Sequence, residues 1–227
     1  MPTLFVDRAE AGAALAEALH RRRYPAPIVV LALPRGGVPL GATVAERLGL
    51  PLDLLLVRKI GAPGQPEFAV AAVVDGTPPV TLVDPRHCAL TGVMHAYIDA
   101  QAALAQRENQ RRRRDYLHGR VSPALDGATV IVVDDGLATG TTARAALRAL
   151  RARHPARLVL AVPVGPADTV AALRAEVDEL VCLAQPSPFV AVGRHYAEFP
   201  QVDDAEVRAA LDAAAARVAR PPPPVTR

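Results

Sequence analysis

The sequence predicts an α/β fold in which a parallel sheet is flanked by helices, and three observations predict it. Short apolar runs at residues 28–33, 52–57, 130–133, 157–163 and 179–183 alternate with helix-length segments, the order of repeated strand–helix–strand units. Most of these runs are continuous in Val, Ile, Leu and Ala rather than alternating with polar residues, as strands covered on both faces require. Two of them pass straight into Gly-containing turns that open helices, and in such sheets ligands bind outside the carboxyl ends of the strands.

At 227 residues the chain is one domain with room for a small appended subdomain, and it is long enough to bury a substantial core. Hydrophobic residues make up 51% and aromatics 4%, so Ala, Val and Leu must fill that core. With 26 basic and 23 acidic side chains the charge is close to balanced, which gives little reason to expect nucleic acid as the main partner. Cys88 and Cys182 lie far apart without metal-ligand spacing and read as reduced thiols of a cytoplasmic protein. The first ten residues, which include Asp7 and Glu10, do not read as a signal peptide, and no apolar run approaches the ~20 residues of a membrane span.

In chain order, residues 7–20 form an amphipathic helix with Ala11, Leu15, Ala18 and Leu19 on one side. Arg21, Arg22 and Arg23 sit at its C-terminal end, where cations suit the helix dipole, and its expected role is packing. The strand at 28–33 leads into Pro34-Arg35-Gly36-Gly37 and a helix to about residue 48. The strand at 52–57 is expected to carry Arg58 and Lys59 at its C-terminal end. Residues 61–68, Gly-Ala-Pro-Gly-Gln-Pro-Glu-Phe, hold too much Gly and Pro for regular structure. Residues 69–74 and 79–83 read as a hairpin turning at Asp75-Gly76, and residues 91–117 as one long helix with a Glu108–Arg112 pair at i,i+4. The four arginines at 111–114 cover all sides of a helix, so they are expected to be solvated, with their stems over apolar neighbours. His87 and His95 lack a flanking ligand pattern and are not expected to bind metal. A helix at 142–151, a strand at 157–163, a helix at 168–175, a strand at 179–183 and a last helix at 203–218 with an acidic cap complete the domain. Residues 221–227 are a Pro-rich tail expected to be disordered or extended.

The stretch Val-Ile-Val-Val-Asp-Asp-Gly-Leu-Ala-Thr-Gly-Thr-Thr at 130–142 carries the chemistry. A strand leaving through a Gly/Thr turn into a helix presents free N–H groups and the positive end of the helix dipole, an anion site suited to phosphate. Asp134 and Asp135 leave the strand in different directions and cannot both be core residues, because two buried carboxylates without partners would cost several kcal/mol. A sugar phosphate offers partners: vicinal ribose hydroxyls for the carboxylate pair, and a 5′-phosphate for the backbone of residues 138–142. Gly136 and Gly140 let that backbone approach closely. The stretch lacks the Gly-Lys-Ser/Thr ending of a Walker loop and the GxGxxG of a dinucleotide site. Pro34-Arg35-Gly36-Gly37 repeats the strand, Gly turn and helix, and is a second anion-site candidate.

These residues resemble the type I phosphoribosyltransferases, whose hallmark is a hydrophobic strand, two acidic residues and a short Gly/Thr loop that bind 5-phosphoribosyl-1-pyrophosphate (PRPP). The similarity is strongest at 34–37, 57–64 and 130–142. It implies a Rossmann-like parallel sheet in a single domain over residues 1–220, with a small hood or lid from about residues 60–120 and 185–205. By the same resemblance Asp134 and Asp135 hold the ribose hydroxyls and, through bound PRPP, Mg²⁺, while Gly136, Ala138, Thr139, Gly140, Thr141 and Thr142 hold ribose and 5′-phosphate. Arg35, Gly36 and Gly37 would bind pyrophosphate, with a cis peptide entering Arg35. Arg58 and Lys59 would receive the leaving pyrophosphate as catalytic residues at the head of a flexible loop, and Glu67 within that loop would act on the nucleophile. Phe189 would stack on the base, with Tyr196 as a nearby wall. The implied reaction displaces pyrophosphate from C1 of the ribose by a nitrogen nucleophile through an oxocarbenium-like state, with Mg²⁺ as cofactor. PRPP and a small nitrogenous acceptor are the implied partners, and a homodimer is the expected assembly.

One position departs from the family pattern. Hypoxanthine-guanine enzymes typically place an Asp where this chain has Ala138, which argues against a 6-oxopurine acceptor handled in that way. The pattern looks most like bacterial phosphoribosyltransferases without an assigned acceptor. A different class stays open, since some proteins of this fold sense PRPP or a nucleotide and regulate without turnover. Arg58 and Lys59 beside a lid favour catalysis, because a sensor has no leaving group to sequester.

Overall fold

The computed structural model describes residues 3–218, so the expected tail at 221–227 lies outside the described residues. Five parallel strands form the main sheet: β1 (Ile28–Ala32), β2 (Leu52–Leu54), β6 (Thr129–Val133), β7 (Arg157–Val164) and β8 (Glu179–Ala184), in the order β2-β1-β6-β7-β8. Successive strand residues face opposite sides, and both sides are apolar. On one, Val30, Ile131, Val133, Val159 and Ala161 pack against α1 (Arg8–His20) and α2 (Gly37–Leu48). On the other, Val29, Leu31, Val130, Val132 and Leu160 pack against α5 (Thr141–Arg151) and α6 (Ala167–Arg174). Each fully buried Val, Leu or Ile contributes about 1.5–3 kcal/mol, so the doubly covered centre of the sheet anchors the fold.

The strand expected at 52–57 is two strands. β2 ends at Leu54, the chain turns through Leu55 and Leu56, and β3 (Val57–Ala62) enters a separate antiparallel sheet with β4 (Gln65–Val74) and β5 (Val80–Val83). The break is fastened by polar groups: Leu56 N–H donates to Asp75 Oδ1 at 2.7 Å, and Asp75 N–H donates to Leu56 O at 2.9 Å. Asp75 is therefore a buried joint rather than an exposed turn residue, and the β4–β5 connection spans residues 75–79 instead of turning on Asp75-Gly76.

Residues 61–68, expected to be irregular, close the β3–β4 hairpin around Pro63-Gly64, with Gly64 at φ +71°. Gly61 sits at a register shift where a Cβ would overlap the Pro66 backbone. The helix expected at 91–117 is also divided. α3 (Pro85–Thr91) starts on the Asp84 side-chain cap and stops at Gly92, φ +65°, before α4 (His95–Leu117) begins. The Glu108–Arg112 pair forms as expected, at 3.0 Å. α7 (Asp204–Val218) starts from the expected acidic cap: Asp203 Oδ1 accepts from Glu206 N–H at 2.8 Å.

The second sheet and α4 enclose a core of their own, built from Ile60, Val70, Val73, Ile98, Ala102 and Ala105. The segment at 185–205, expected to share this hood, instead packs Phe189, Val192, Tyr196 and Phe199 onto the α1 and α2 side of the main sheet. Cys88 and Cys182 are both free thiols. Among the described residues no helix is long and apolar enough to cross a membrane.

Candidate active site

β1 and β6 are neighbours, with Ala32 opposite Val133, and their chains leave the sheet side by side. Leu33 N–H donates to Val133 O at 3.0 Å just past the last ladder pair. From β1 the connection proceeds to β2 on one side, and from β6 to β7 on the other. The crevice between the two exits is thus the point where the strand order reverses. The two Gly turns touch there: a Cβ on Gly36 would overlap the Asp135 carboxylate, and one on Gly37 would stand 2.8 Å from Val133 O. Both positions need glycine for the loops to close on each other. The Pro34–Arg35 peptide is cis, as the resemblance implies.

The helices that leave these turns differ in what they offer. In α2 the first N–H groups are tied back, Gly37 to Leu33 O at 3.0 Å and Val38 to Arg35 O at 3.1 Å. In α5 the cap is Gly140, φ +71°, which has no side chain to close the helix, and the first turn holds no acid. The amides of Thr141, Thr142 and Ala143 have no acceptor among the described residues. The Thr139 and Thr141 hydroxyls lie 3.1 Å apart beside them. This is an uncapped, positively polarised helix start with hydroxyls at hand, able to bind an anion.

The two carboxylates are held differently. Asp135 is fixed by Arg8, the first residue of α1, whose Nε and Nη2 lie 3.0 and 2.9 Å from Asp135 Oδ2. Arg8 itself lies 3.7 Å over the Phe199 ring and donates to Pro200 O at 2.8 Å. Burial pushes the Asp135 carboxyl up and Arg8 pulls it back. Asp134 makes no ion pair among the described residues: burial, then the neighbouring Asp135 charge, lift it well above the usual carboxylate range, against the opposing pull of the Asp135 N–H and of Arg8. Its Oδ1 accepts from Asp135 N–H at 2.9 Å, and the other oxygen makes no hydrogen bond among the described residues. Asp134 is therefore the acceptor held open at the crevice.

A family model described as the phosphoribosyl transferase domain matches residues 7–197. The chain belongs to this family. Two Mycobacterium tuberculosis proteins, of strains CDC 1551 and H37Rv, are each named "Putative phosphoribosyl transferase" and are 45% identical over 211 residues, 93% of this chain and 47% of theirs. The chain thus spans about half the length of these curated relatives. The crystal structure of TT1426 from Thermus thermophilus is similar at 43% identity and a TM-score of 0.79, covering 91% of this chain and 97% of that one.

Within this phosphoribosyl transferase domain, the other residues expected at the site are distributed as follows. Arg35 is half-buried, with Nη1 3.7 Å from Asp204 Oδ1 at the start of α7. Arg58 and Lys59 do not end a parallel strand; they lie inside β3, opposite Val73 and Ala72. Adjacent strand residues face opposite ways. Lys59 shares the face of Val57 and Ala72, towards α5, whereas Arg58 shares that of Ile60 and Val73, towards α4. The two cations therefore cannot act as one cluster at a strand end. Glu67 is exposed on β4, in the hairpin rather than in a loose loop. Phe189 is half-buried, its ring 5.1 Å from His195.

Tyr196 is not a wall of a base pocket. It is 5% exposed, packed between Phe5 and Phe199, and its hydroxyl donates to Asp135 O at 2.6 Å. No ring face remains for stacking; the residue supports the acidic turn from behind. Ala138 is exposed, and its carbonyl accepts from Thr169 Oγ1 at 3.0 Å. Sequence reasoning missed Arg8. The available signal was a cation in the first turn of α1, where the helix dipole disfavours one unless a carboxylate faces it.

Proposed function

We propose that this domain binds PRPP with Mg²⁺ and transfers the 5-phosphoribosyl group to a nitrogen nucleophile, releasing pyrophosphate. The observation that carries the reading is the meeting of the two Gly turns at the point where the strand order reverses, with Gly36 against Asp135, Asp134 open, and α5 starting uncapped. On this reading the free Asp134 oxygen accepts from the ribose hydroxyls, while Asp135, locked to Arg8, keeps the turn in shape. The amides at 141–143 and the Thr139 and Thr141 hydroxyls take the 5′-phosphate, and Arg35 with Gly36 and Gly37 takes the pyrophosphate end. The bond from C1 to the pyrophosphate oxygen breaks as the C1–N bond forms; the electron pair leaves with pyrophosphate and the nucleophile's proton passes to water. Lys59, on the face of β3 towards α5, is the cation suited to the departing charge, and positioning with electrostatics supplies most of the rate.

On this reading Mg²⁺ arrives on the substrate, and Asp134 faces it through the ribose hydroxyls. Mg²⁺ would spread the charge that develops on the leaving group. The methyl group of Ala138 offers no carboxylate to a base, so an acceptor handled through an acid at that position is disfavoured.

The test is pyrophosphate release from PRPP and Mg²⁺ against purines, pyrimidines, orotate and small amines, beside calorimetric titration with PRPP. Release with one acceptor supports the transferase and names its substrate. Absence of PRPP binding overturns the reading, and tight binding without release points to a PRPP sensor or to an acceptor outside this panel.

A further inference from the structure

The start of α7 reaches the turn that follows β1. Asp204, the first residue of α7, places its Oδ1 3.7 Å from Nη1 of Arg35. The same oxygen accepts from the Tyr116 hydroxyl at 2.8 Å, at the C-terminal end of α4. Tyr116 is 1% exposed. Burial, then the Asp204 carboxylate, push its hydroxyl up to about 12, so it remains a proton donor throughout the neutral range.

Asp204 stands on a fixed platform. Beside it Asp203 and Glu206 cap α7 reciprocally, each side chain accepting from the other's backbone N–H, at 2.8 and 2.7 Å. Val207 and Leu211 of α7 share one buried core with Tyr116 and with Val38, the second residue of α2. Val38 follows directly on Arg35-Gly36-Gly37, so a single core fixes both the carboxylate and the backbone that carries the arginine. Arg120 ties the end of α4 to α7 as well, donating to Leu211 O at 2.9 Å and to Asp212 Oδ1 at 2.7 Å. Arg111 and Arg112, whose charges also reach this corner, are committed to Glu108 and Asp115 of their own helix. At 3.7 Å the Arg35 contact is an ion pair rather than a hydrogen bond, so it directs the guanidinium without consuming its donors.

We propose that Asp204 is a positioning residue for the pyrophosphate end of the site: held by Tyr116, it orients the Arg35 guanidinium before the ligand arrives. The inference rests on the proposed assignment of Arg35 to pyrophosphate, and it brings α7 into the active site. Two effects of the carboxylate compete. Its charge repels an incoming anion, but the side chain is 55% exposed, so solvent screens that repulsion beyond the direct contact with Arg35. The contact itself spares a long side chain the ordering that binding would otherwise demand, and such preorganisation raises affinity. Positioning outweighs repulsion, and the sign of the effect on pyrophosphate affinity separates the two.

The experiment is calorimetric titration of the full chain in Mg²⁺ with inorganic pyrophosphate and, as a ligand without the pyrophosphate end, with ribose 5-phosphate. Asp204→Asn keeps an acceptor for Tyr116 and removes the charge. Its pyrophosphate affinity is expected to fall about threefold, while its ribose 5-phosphate affinity stays at the wild-type value. Tyr116→Phe, which releases the carboxylate, is expected to act in the same direction and by less. In an Arg35→Ala background Asp204→Asn is expected to add no further loss, because the carboxylate acts through the arginine. Pyrophosphate affinity unchanged or raised in Asp204→Asn would overturn the inference, a rise showing that Asp204 competes for Arg35 instead of positioning it. Equal losses for the two ligands, or the same loss with and without Arg35, would overturn it too, since both mean a general disturbance of the fold. Any of these results in a wild type that binds PRPP leaves the proposed function standing; a wild type that binds neither PRPP nor pyrophosphate removes both.

Discussion

Asp134 and Asp135 stand side by side at the exit of β6 with Arg8 on one of them, while Asp53 and Asp75 reach each other across the break between the two sheets and share Arg113. The first pair keeps an Asp134 oxygen open at the crevice. In the second every oxygen is engaged, twice by Arg113 and twice by backbone N–H groups. The residue type is the same; Asp53 and Asp75 are buried and saturated, whereas Asp134 and Asp135 are only partly buried and not saturated. An engaged carboxylate pair joins two parts of a fold, whereas one with a free oxygen beside an uncapped helix start can still bind a ligand.

The strongest way to break this comparison is to remove Arg113. Arg113→Ala leaves two buried carboxylates without their cation and should cost about 3–5 kcal/mol. For a domain of this size that lowers the melting temperature by roughly 6–20 °C. PRPP affinity, measured calorimetrically below the transition, should stay at the wild-type value; a variant that melts normally but loses PRPP would reverse the roles assigned to the two pairs. Gly36→Ala acts on the other pair, since the added Cβ overlaps the Asp135 carboxylate. Its expected signature is a fall in kcat/KM of about 100-fold in the pyrophosphate assay, the scale of a small misplacement at a reacting centre. A variant that reacts normally would show that the contact between the two turns is dispensable.

A smaller effect sharpens the comparison at the hood. Lys59→Ala should lower kcat about tenfold with little change in PRPP affinity, and Arg58→Ala, on the opposite face of β3, should lower it less. Equal losses from the two would mean that strand alternation does not set their roles.

The main sheet and both Gly turns were legible because their signals are local: continuous apolar runs, and glycines at the strand exits. The break after Leu54 was not. Leu54, Leu55, Leu56 and Val57 read as one apolar run, and what divides them is an ion cluster whose members come from residues 53, 75 and 113. The arginine run shows the same limit. Arg111 and Arg112 do pair with acids of their own helix, but one side of any helix against a sheet faces inward, and here Arg113 is on it. Gly and Pro at 61–68 signalled a turn, and reading them as a loop overlooked Ile60, Ala62 and Val70, which bury the flanking strands. Tyr196 went astray because an aromatic near a candidate site says nothing about which way it points until Phe5 and Phe199 are known to enclose it.

Asp134→Asn, followed by melting temperature and PRPP calorimetry together, tests the central claim most directly. Burial and the Asp135 charge raise the Asp134 pKa in the folded chain. Between the ordinary carboxylate value and that raised value the folded state therefore holds more protons than the unfolded state, and stability falls as pH rises through the window. Above the window the ionised carboxylate costs stability that the amide does not. Near neutral pH the variant should melt roughly 2–4 °C higher than wild type, the shift made by about 1 kcal/mol in a domain of this size, while PRPP affinity drops roughly tenfold or more. The thermal gain should vanish below the ordinary carboxylate range, where Asp134 is protonated in both states. A variant that melts lower than wild type and binds PRPP equally well would contradict the account, because Asp134 would then be a structural carboxylate like Asp53 and Asp75.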